Sequence, residues 1–383
     1  MTDLVVVGAG PFGLTVARVL AERGRNVTVV ERRDHIGGNA HSSPDPATGI
    51  EVHNYGAHLF HTSNQRVWEF LSRFTAWTGY THRVFTRHRG EVYPLPINLA
   101  TINQFFRSAL SPDEARALIA EQAGTGQAGG SGTAASGNSL RDKGVSLIGR
   151  PLYEAFIESY TAKQWQTPAD QLPASVITRL PVRYNYDSRY FSDPHQGLPV
   201  DGYAALWARL ADHPRIDVVL GRDFLAPADA AGPSRAACAG RAPVVFTGPI
   251  DQYFGHSAGR LGWRTIDFEW SHPPTGDFQG CPVMNYADLD APWTRVIEFR
   301  HFHPERDYPA DRTVIAHEYS RPAGADDEPY YPINRPADRE RLERYRQLAA
   351  AEPGVWFGGR LGRYQYLDMD MAVAAGLALA EKL

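Results

Sequence analysis

Residues 4–31 read LVVVGAGPFGLTVARVLAERGRNVTVVE, and the rest of the fold is read outward from this stretch. Leu4–Val7 is wholly apolar, which suits a short strand buried on both faces of a parallel sheet. Pro11–Glu22 places Leu14, Val16, Ala17, Val19 and Leu20 at helical spacing, and Gly24 closes the helix. Residues 26–31 (NVTVVE) form a second strand. Between strand and helix lies Gly8-Ala9-Gly10-Pro11-Phe12-Gly13. A GxGxxG alone is a weak signal, but here it follows a strand and opens a helix, the context in which it holds a dinucleotide. Gly8 permits the tight turn, Gly10 lets the backbone approach a pyrophosphate, and Gly13 lets the helix sit close to the strand. The helix N-terminus then offers its free amides to an anion. Glu31, at the end of the second strand, is placed to accept hydrogen bonds from an adenosine ribose.

The next residues separate the possible cofactors. Arg33-Asp34-His35-Ile36-Gly37-Gly38 sets a glycine pair directly after the second strand, with Asn39 behind it. An NAD enzyme has no need of this pair, whereas flavoproteins of the glutathione-reductase-like class commonly carry such an RxxxGG. Residues 357–360 (FGGR), ahead of a C-terminal helix, resemble the closing segment of the same class. FAD is therefore preferred over NAD.

Composition removes several other classes. The chain has 383 residues, 43% hydrophobic and 21% charged, which fits two or three globular domains. A net charge of −4 argues against gripping nucleic acid or an anionic membrane. No run approaches the roughly 18 apolar residues of a membrane span. The chain enters a strand at once, without a basic leader, and has only Cys238 and Cys281, so a cytoplasmic protein is expected. Basic residues are lopsided, 36 Arg against Lys143, Lys163 and Lys382, which reads mainly as codon bias. His58 and His61 stand three apart (HLFH), but no further cluster has metal-ligand spacing, so no metal is expected. Residues 96–183 read as mostly helical, interrupted by a Gly/Ala/Ser/Thr tract at 123–137 that suits a flexible loop. From 184 to 332, β-like runs at 263–268, 295–299 and 314–319 alternate with turns and suggest an antiparallel sheet. Residues 216–220 and 244–247 look like further strands of the first sheet.

Longer blocks carry a closer resemblance. Residues 31–40 (ERRDHIGGNA), 55–62 (YGAHLFHT), 95–106 (LPINLATINQFF), 152–165 (LYEAFIESYTAKQW), 172–183 (LPASVITRLPVR), 248–254 (GPIDQYF), 328–333 (EPYYPI) and 358–362 (GGRLG) run nearly end to end. In these the chain resembles the bacterial-type UDP-galactopyranose mutases. The resemblance implies an α/β fold with a Rossmann-like, glutathione-reductase-like FAD-binding domain (1–75, 197–255 and 335–383). It adds a small helical domain (96–183) with a mobile substrate lid at 166–173, and an antiparallel sheet domain (76–95, 184–196 and 256–334). It also implies the chemistry: UDP-galactopyranose and UDP-galactofuranose interconvert on reduced FAD, with no net redox change. The flavin N5 attacks the anomeric carbon, UDP leaves, and the ring recloses from a flavin–sugar adduct.

Residue by residue, the resemblance assigns Arg179 and Arg295 to the substrate diphosphate, where a guanidinium can fork onto phosphate oxygens. Tyr190, Tyr330 and Tyr366 match phosphate-contacting phenols, while Tyr160 and Trp165 match aromatic positions at the uracil and sugar end. Thr161, Asn285 and His82 complete the substrate set, and His61 is the candidate for positioning or proton handling near N5. The cofactor set is Gly8, Gly10, Phe12, Gly13, Glu31, Arg32, Gly38, Asn39, His58, Leu59, Asp223, Phe224, Arg264, Arg360, Asp368 and Met369. Three positions depart from the pattern: His82 stands where Asn is usual, Gln166 where Gly is common, and Phe299 where a His is usual. They point either to an altered sugar or nucleotide preference or to neutral drift. An external reductant and a homodimer are expected. The alternatives are the same chemistry on another nucleotide sugar, a flavin oxidoreductase on the same fold, and a flavin-bound homologue without catalysis.

Overall fold

The computed structural model describes residues 2–124, 139–172, 174, 182–226, 233–238 and 240–383. Arg179 and most of the 123–137 tract lie outside the described residues. The opening βαβ unit forms as its sequence dictates: strand Leu4–Val7, helix Pro11–Glu22 with Pro at its first turn, and strand Val27–Val30. They belong to a five-stranded parallel sheet ordered Val355–Phe357, Val244–Phe246, Leu4–Val7, Val27–Val30, Ile216–Val219. The central strand pairs on both sides, Val5 lying opposite Thr28 and Val244. Glycine lets the layers approach. A Cβ on Gly13 would sit 2.0 Å from the Gly8 carbonyl oxygen, and one on Gly376 would sit 2.9 Å from that of Phe12. The first helix and the C-terminal helix Met369–Ala380 therefore pack at near main-chain contact.

The second sheet has seven strands: Tyr331–Pro332, Trp263–Ser271, Ile315–Pro322, Arg295–Glu298, Val283–Tyr286, Val84–His88 and Glu91–Leu95. Every neighbouring pair is antiparallel except one: Val283–Tyr286 runs parallel to Val84–His88. The expectation of a purely antiparallel sheet is corrected there. The two strands meet only after the chain has left this sheet and returned, so no hairpin sets their relative direction. A separate short ladder pairs Phe60–Thr62 with His195–Gly197 and places His61 opposite Gln196.

The helical segment is organised by caps. Asn98 and Ser111 close capping boxes on Leu99–Phe106 and Pro112–Gln122, and Ser139 caps Leu140–Ile148. Ile102, Ile119, Leu152 and Phe156 share its core. A single π-helical turn, Glu154–Glu158, precedes helix Ser159–Trp165. That helix ends at Gln166 in the left-handed region, φ 47°, which explains why glycine suits this position. Here the glutamine is held by a 3.0 Å hydrogen bond from Nε2 to the Ser320 carbonyl.

Phe299 is fully buried, stacked on Trp270 at 5.2 Å and edge-on to Phe302, and it does not line the cavity described below. Its departure from the family pattern therefore belongs to the core and not to substrate choice. Cys238 and Cys281 are buried free thiols. Among the described residues no helix is long and apolar enough to cross a membrane.

Candidate active site

One cavity opens at the C-terminal edge of the parallel sheet and runs to the face of the seven-stranded sheet. Its near end is built from main chain. Gly8 has φ +98°, and a Cβ there would lie 2.0 Å from Thr247 Oγ1. Gly10 caps the helix without a side chain, and its Cβ position has no heavy atom within 4 Å, so the turn faces open space beside unspent helical amides. Glu31, 6% exposed, accepts the Ala9 amide at 2.8 Å and the Arg33 amide at 3.0 Å. Its carboxylate thus braces the turn while lining the cavity. Arg33 donates to Asn39 Oδ1 at 2.7 Å and to Glu328 Oε2 at 2.8 Å, and its guanidinium covers Tyr55. Arg32 reaches the other Glu328 oxygen at 2.6 Å, so one carboxylate ties the glycine-pair segment to the second sheet.

Side chains build the far end. Arg295 donates through Nε to Glu318 Oε2 at 2.7 Å, and Glu318 is 3% exposed. Burial opposes the guanidinium charge, but Glu318 outweighs it and holds the group protonated. Burial raises the pKa of the Tyr160, Tyr190, Tyr330, Tyr331 and Tyr366 phenols, which keeps five neutral hydroxyls around the cavity. The Arg360 guanidinium lies 4.4 Å from the Tyr366 ring centroid and 5.1 Å from that of Tyr331. Among the described residues its Nε and NH2 find no hydrogen-bond partner, nor does Asn285 Oδ1, and all three atoms are buried. Buried donors of a fixed cation call for an acceptor, and an anionic ligand supplies it. The open cradle at Gly10 and these orphaned donors fit a dinucleotide, and Arg295 with its ring of phenols fits a phosphate-bearing substrate at the other end.

Three histidines lie between. Burial pushes His58 down to about 4, against a 2.7 Å contact of Nδ1 with the Gly56 carbonyl. Burial, with Arg295 and His61 nearby, pushes His82 down to about 3, and its Nδ1 meets the Tyr80 hydroxyl at 2.9 Å. His61 Nδ1 lies 2.7 Å from Asp193 Oδ2, and the ring stacks on Phe191 at 3.6 Å. The Ser63 hydroxyl also donates to Asp193. This leaves Nε2 as the uncommitted ring nitrogen of His61.

The cavity gathers most of the expected residues. The cofactor set lines it through Gly8, Gly10, Phe12, Gly13, Glu31, Arg32, Gly38, Asn39, His58, Leu59, Asp223, Phe224, Arg360, Asp368 and Met369. The substrate set lines it through His61, His82, Tyr160, Tyr190, Asn285, Arg295, Tyr330 and Tyr366. Three expected residues do not line it. Thr161 is buried within its helix, and Trp165 packs against the helical core. Arg264, 2% exposed, donates from Nε and NH2 to Ser320 Oγ, and burial lowers its pKa to about 10. Arg179 lies outside the described residues.

Sequence reasoning passes over Phe191, Tyr331 and Thr247 in the lining, and Asp193 and Glu318 behind it. Tyr331 and Phe191 sit next to expected tyrosines, so their neighbours were the available signal. The two carboxylates have none, because only the fold brings them to their partners. A separate trio, Asp277, Glu298 and His301, brings possible ligand atoms within 4.8 Å. Glu298 there accepts the Phe278 and Gln279 amides, which accounts for it as a loop anchor.

A family model described as UDP-galactopyranose mutase matches residues 155–366, and one described as an NAD(P)-binding Rossmann-like domain matches 6–74. The chain is 43% identical to a protein of Klebsiella pneumoniae named as a probable UDP-galactopyranose mutase, over 99% of this chain and 94% of the relative. It is 39% identical to a dTDP-fucopyranose mutase of Escherichia coli, over 100% and 98%. A UDP-galactopyranose mutase of Mycoplasma pneumoniae is 33% identical over 100% and 96%. Among solved structures, a reduced UDP-galactopyranose mutase superposes with TM-score 0.75 at 15% identity, over 100% of this chain and 93% of that one. A putrescine oxidase superposes with TM-score 0.56 at 14% identity, over 100% and 98%. At such identities the likeness speaks for the fold alone.

Proposed function

The chain belongs to the UDP-galactopyranose mutase family, a family of flavin-dependent isomerases, and on that premise we propose that it interconverts UDP-galactopyranose and UDP-galactofuranose on FAD held reduced. The observation that carries this reading is the pairing, in one cavity, of a glycine cradle at one end with Arg295, held charged by Glu318, at the other. An oxidase acting on an amine has no diphosphate to hold at the far end.

In this reading the amides at the start of helix Pro11–Glu22 and Glu31 hold the cofactor's diphosphate and ribose. When bound, reduced FAD supplies a nucleophilic ring nitrogen, and no electrons are consumed between substrate and product. Arg295 neutralises the substrate diphosphate as it departs and keeps it close for the return, while the buried Arg360 donors face the cofactor. Arg179 joins Arg295 by the resemblance. The neutral phenols of Tyr190, Tyr330 and Tyr366 donate to phosphate oxygens, and Tyr160 packs the far wall. His61, oriented by Asp193, exchanges a proton through Nε2 while the sugar ring opens and closes. The three-part division into cofactor, helical and sheet domains is proposed with the boundaries given above, as are an external reductant, a homodimer and a cytoplasmic location.

The test incubates dithionite-reduced enzyme with UDP-galactofuranose and follows UDP-galactopyranose by chromatography. Many turnovers per flavin are expected from reduced enzyme, and turnover only from oxidised enzyme would sink the reading. A second reading keeps the chemistry and changes the sugar. It is favoured by the 39% identical dTDP-fucopyranose mutase and by His82 in the cavity wall. A panel of UDP-, GDP- and dTDP-hexoses ranked by kcat/KM separates the two.

A further inference from the structure

The Ser159–Trp165 helix contributes Tyr160 to the cavity and, on the same short helix, carries Lys163. Its ammonium lies among four main-chain carbonyl oxygens: Tyr286 at 2.7 Å, Asp288 at 2.6 Å, Ala291 at 3.0 Å and Trp293 at 3.1 Å. Tyr286 ends strand Val283–Tyr286, and the other three lie in the loop between it and strand Arg295–Glu298. An ammonium has three protons, so four oxygens at these distances form a cage for a compact cation. A guanidinium is planar and too wide for that cage. In a chain with 36 arginines and three lysines, a lysine at this point runs against the composition.

Among the described residues no carboxylate forms an ion pair with it in place of the carbonyls. Asp288 turns instead to His88 Nδ1 and the Arg89 amide, each at 2.6 Å. Burial pushes the Lys163 amine down to about 8, opposed by Asp290 and Asp288, so holding it charged draws on the cage.

The cage joins two walls of the site. On one side stands Tyr160. On the other, Asn285 lies one residue before the end of the strand that precedes the loop and Arg295 begins the strand after it, and both line the cavity. The same helix end is tied again to strand Ile315–Pro322, where Ser320 Oγ donates to the Gln164 carbonyl at 2.7 Å. That strand carries Glu318, the partner of Arg295.

We propose that Lys163 is a positioning residue that holds Tyr160 at a fixed span from Asn285 and Arg295, and so sets the affinity for the nucleotide sugar without touching it. The inference rests on the nucleotide-sugar reading of the cavity. Lys163→Met removes the charge at similar length. Expected are wild-type FAD content, a KM raised on the order of tenfold, and a kcat within about threefold, since the lost contact acts on binding. Hydrogen exchange at the 286–293 amides should rise as well. In Lys163→Ala, ammonium ions should lower KM again, while tetramethylammonium at equal ionic strength should not. Lys163→Arg keeps the charge but mismatches the cage, so it should also raise KM at full flavin content, which decides the matter if the methionine variant fails to fold.

An unchanged KM in these variants, or a loss confined to kcat, overturns the proposal. So does an ammonium effect matched by tetramethylammonium. If wild-type enzyme turns over neither UDP-galactopyranose nor dTDP-fucopyranose, the functional reading fails separately. The strut is then judged by exchange at 286–293, and unchanged exchange in Lys163→Met overturns it.

Discussion

Between Gly8 and Glu31 the cavity wall is main chain from one continuous stretch, whereas from Tyr160 round to Arg360 it is side chains from separate helices, strands and loops. The first end presents amides and empty space, with a single carboxylate braced by backbone N–H groups. The second presents guanidinium groups and neutral phenols, with Arg295 held by Glu318 from a separate strand. The two ends should therefore fail differently. At the main-chain end a substitution acts by displacing backbone. At the side-chain end it acts by stranding a charge.

The largest effect is expected at Arg295. Arg295→Met removes a phosphate partner and leaves Glu318 buried at 3% exposure without its counter-charge. Turnover should fall about a thousandfold, and stability should drop by about 3 kcal/mol. Adding Glu318→Gln should restore most of the melting temperature and none of the turnover. If the double variant melts as low as the single one, charge stranding is not what weakens this end.

The next prediction uses neighbouring glycines to break the main-chain end in two ways. In Gly13→Ala the new Cβ meets the Gly8 carbonyl oxygen at 2.0 Å and the Val6 side chain at 3.2 Å. Neither can give without moving the sheet, so a loss of about 2 kcal/mol and absence of bound flavin are expected. Gly10→Ala meets nothing within 4 Å and has no positive φ, so the melting of the flavin-free protein should stay unchanged. Only flavin affinity should fall, because the methyl enters the cradle. Flavin absorbance per protein and a melting curve for each variant check both, and equal flavin retention in the two would contradict the cradle.

This contrast also explains what can be read from sequence. Helix Pro11–Glu22 is legible to the residue because its signals are local: a proline at its start, glycines before it, and apolar spacing along it. Gly8, Gly10, Gly13 and Glu31 are legible for the same reason. The far end becomes legible only through family resemblance, since no spacing links Tyr160 to Arg295 or Asp193 to His61. Asp193 reaches His61 because Phe60–Thr62 pairs with His195–Gly197 across the fold. Phe299 misleads in the opposite direction: a residue that looks like a substrate-facing departure is core packing. Lys163 reads as an ordinary helical lysine until the loop carbonyls surround it.

A smaller effect is expected at Asp193. Asp193→Asn keeps an oxygen able to accept from His61 Nδ1 but removes the carboxylate charge that faces the ring. Turnover should fall on the order of tenfold, with little change in KM or flavin content. Ser63→Ala, which removes only the second donor to Asp193, should change turnover less. If Asp193→Asn raises KM and leaves kcat alone, the carboxylate shapes the pocket and does not orient His61.

The smallest expected effect concerns acid. His58 and His82 are kept neutral by burial, with pKa values of about 4 and about 3, below the roughly 6.5 of an unfolded histidine. As pH falls below about 6.5 the unfolded chain takes up these protons while the folded chain does not, so stability declines toward acid and is level above neutrality. For His82, which is 5% exposed, the loss by about pH 5 is about 2 kcal/mol. His82→Asn removes one of these proton uptakes. It also disturbs the contact with Tyr80 and the stacking on Phe191, but those losses are the same at every pH. The informative quantity is therefore the drop in melting temperature between about pH 7.5 and pH 5, not the melting temperature itself. The drop should be smaller in His82→Asn than in wild type. An equal drop in wild type and His82→Asn would mean that the ring already carries a proton when folded. The wall of the substrate end would then hold one more positive charge beside Arg295 than the neutral ring assumed here.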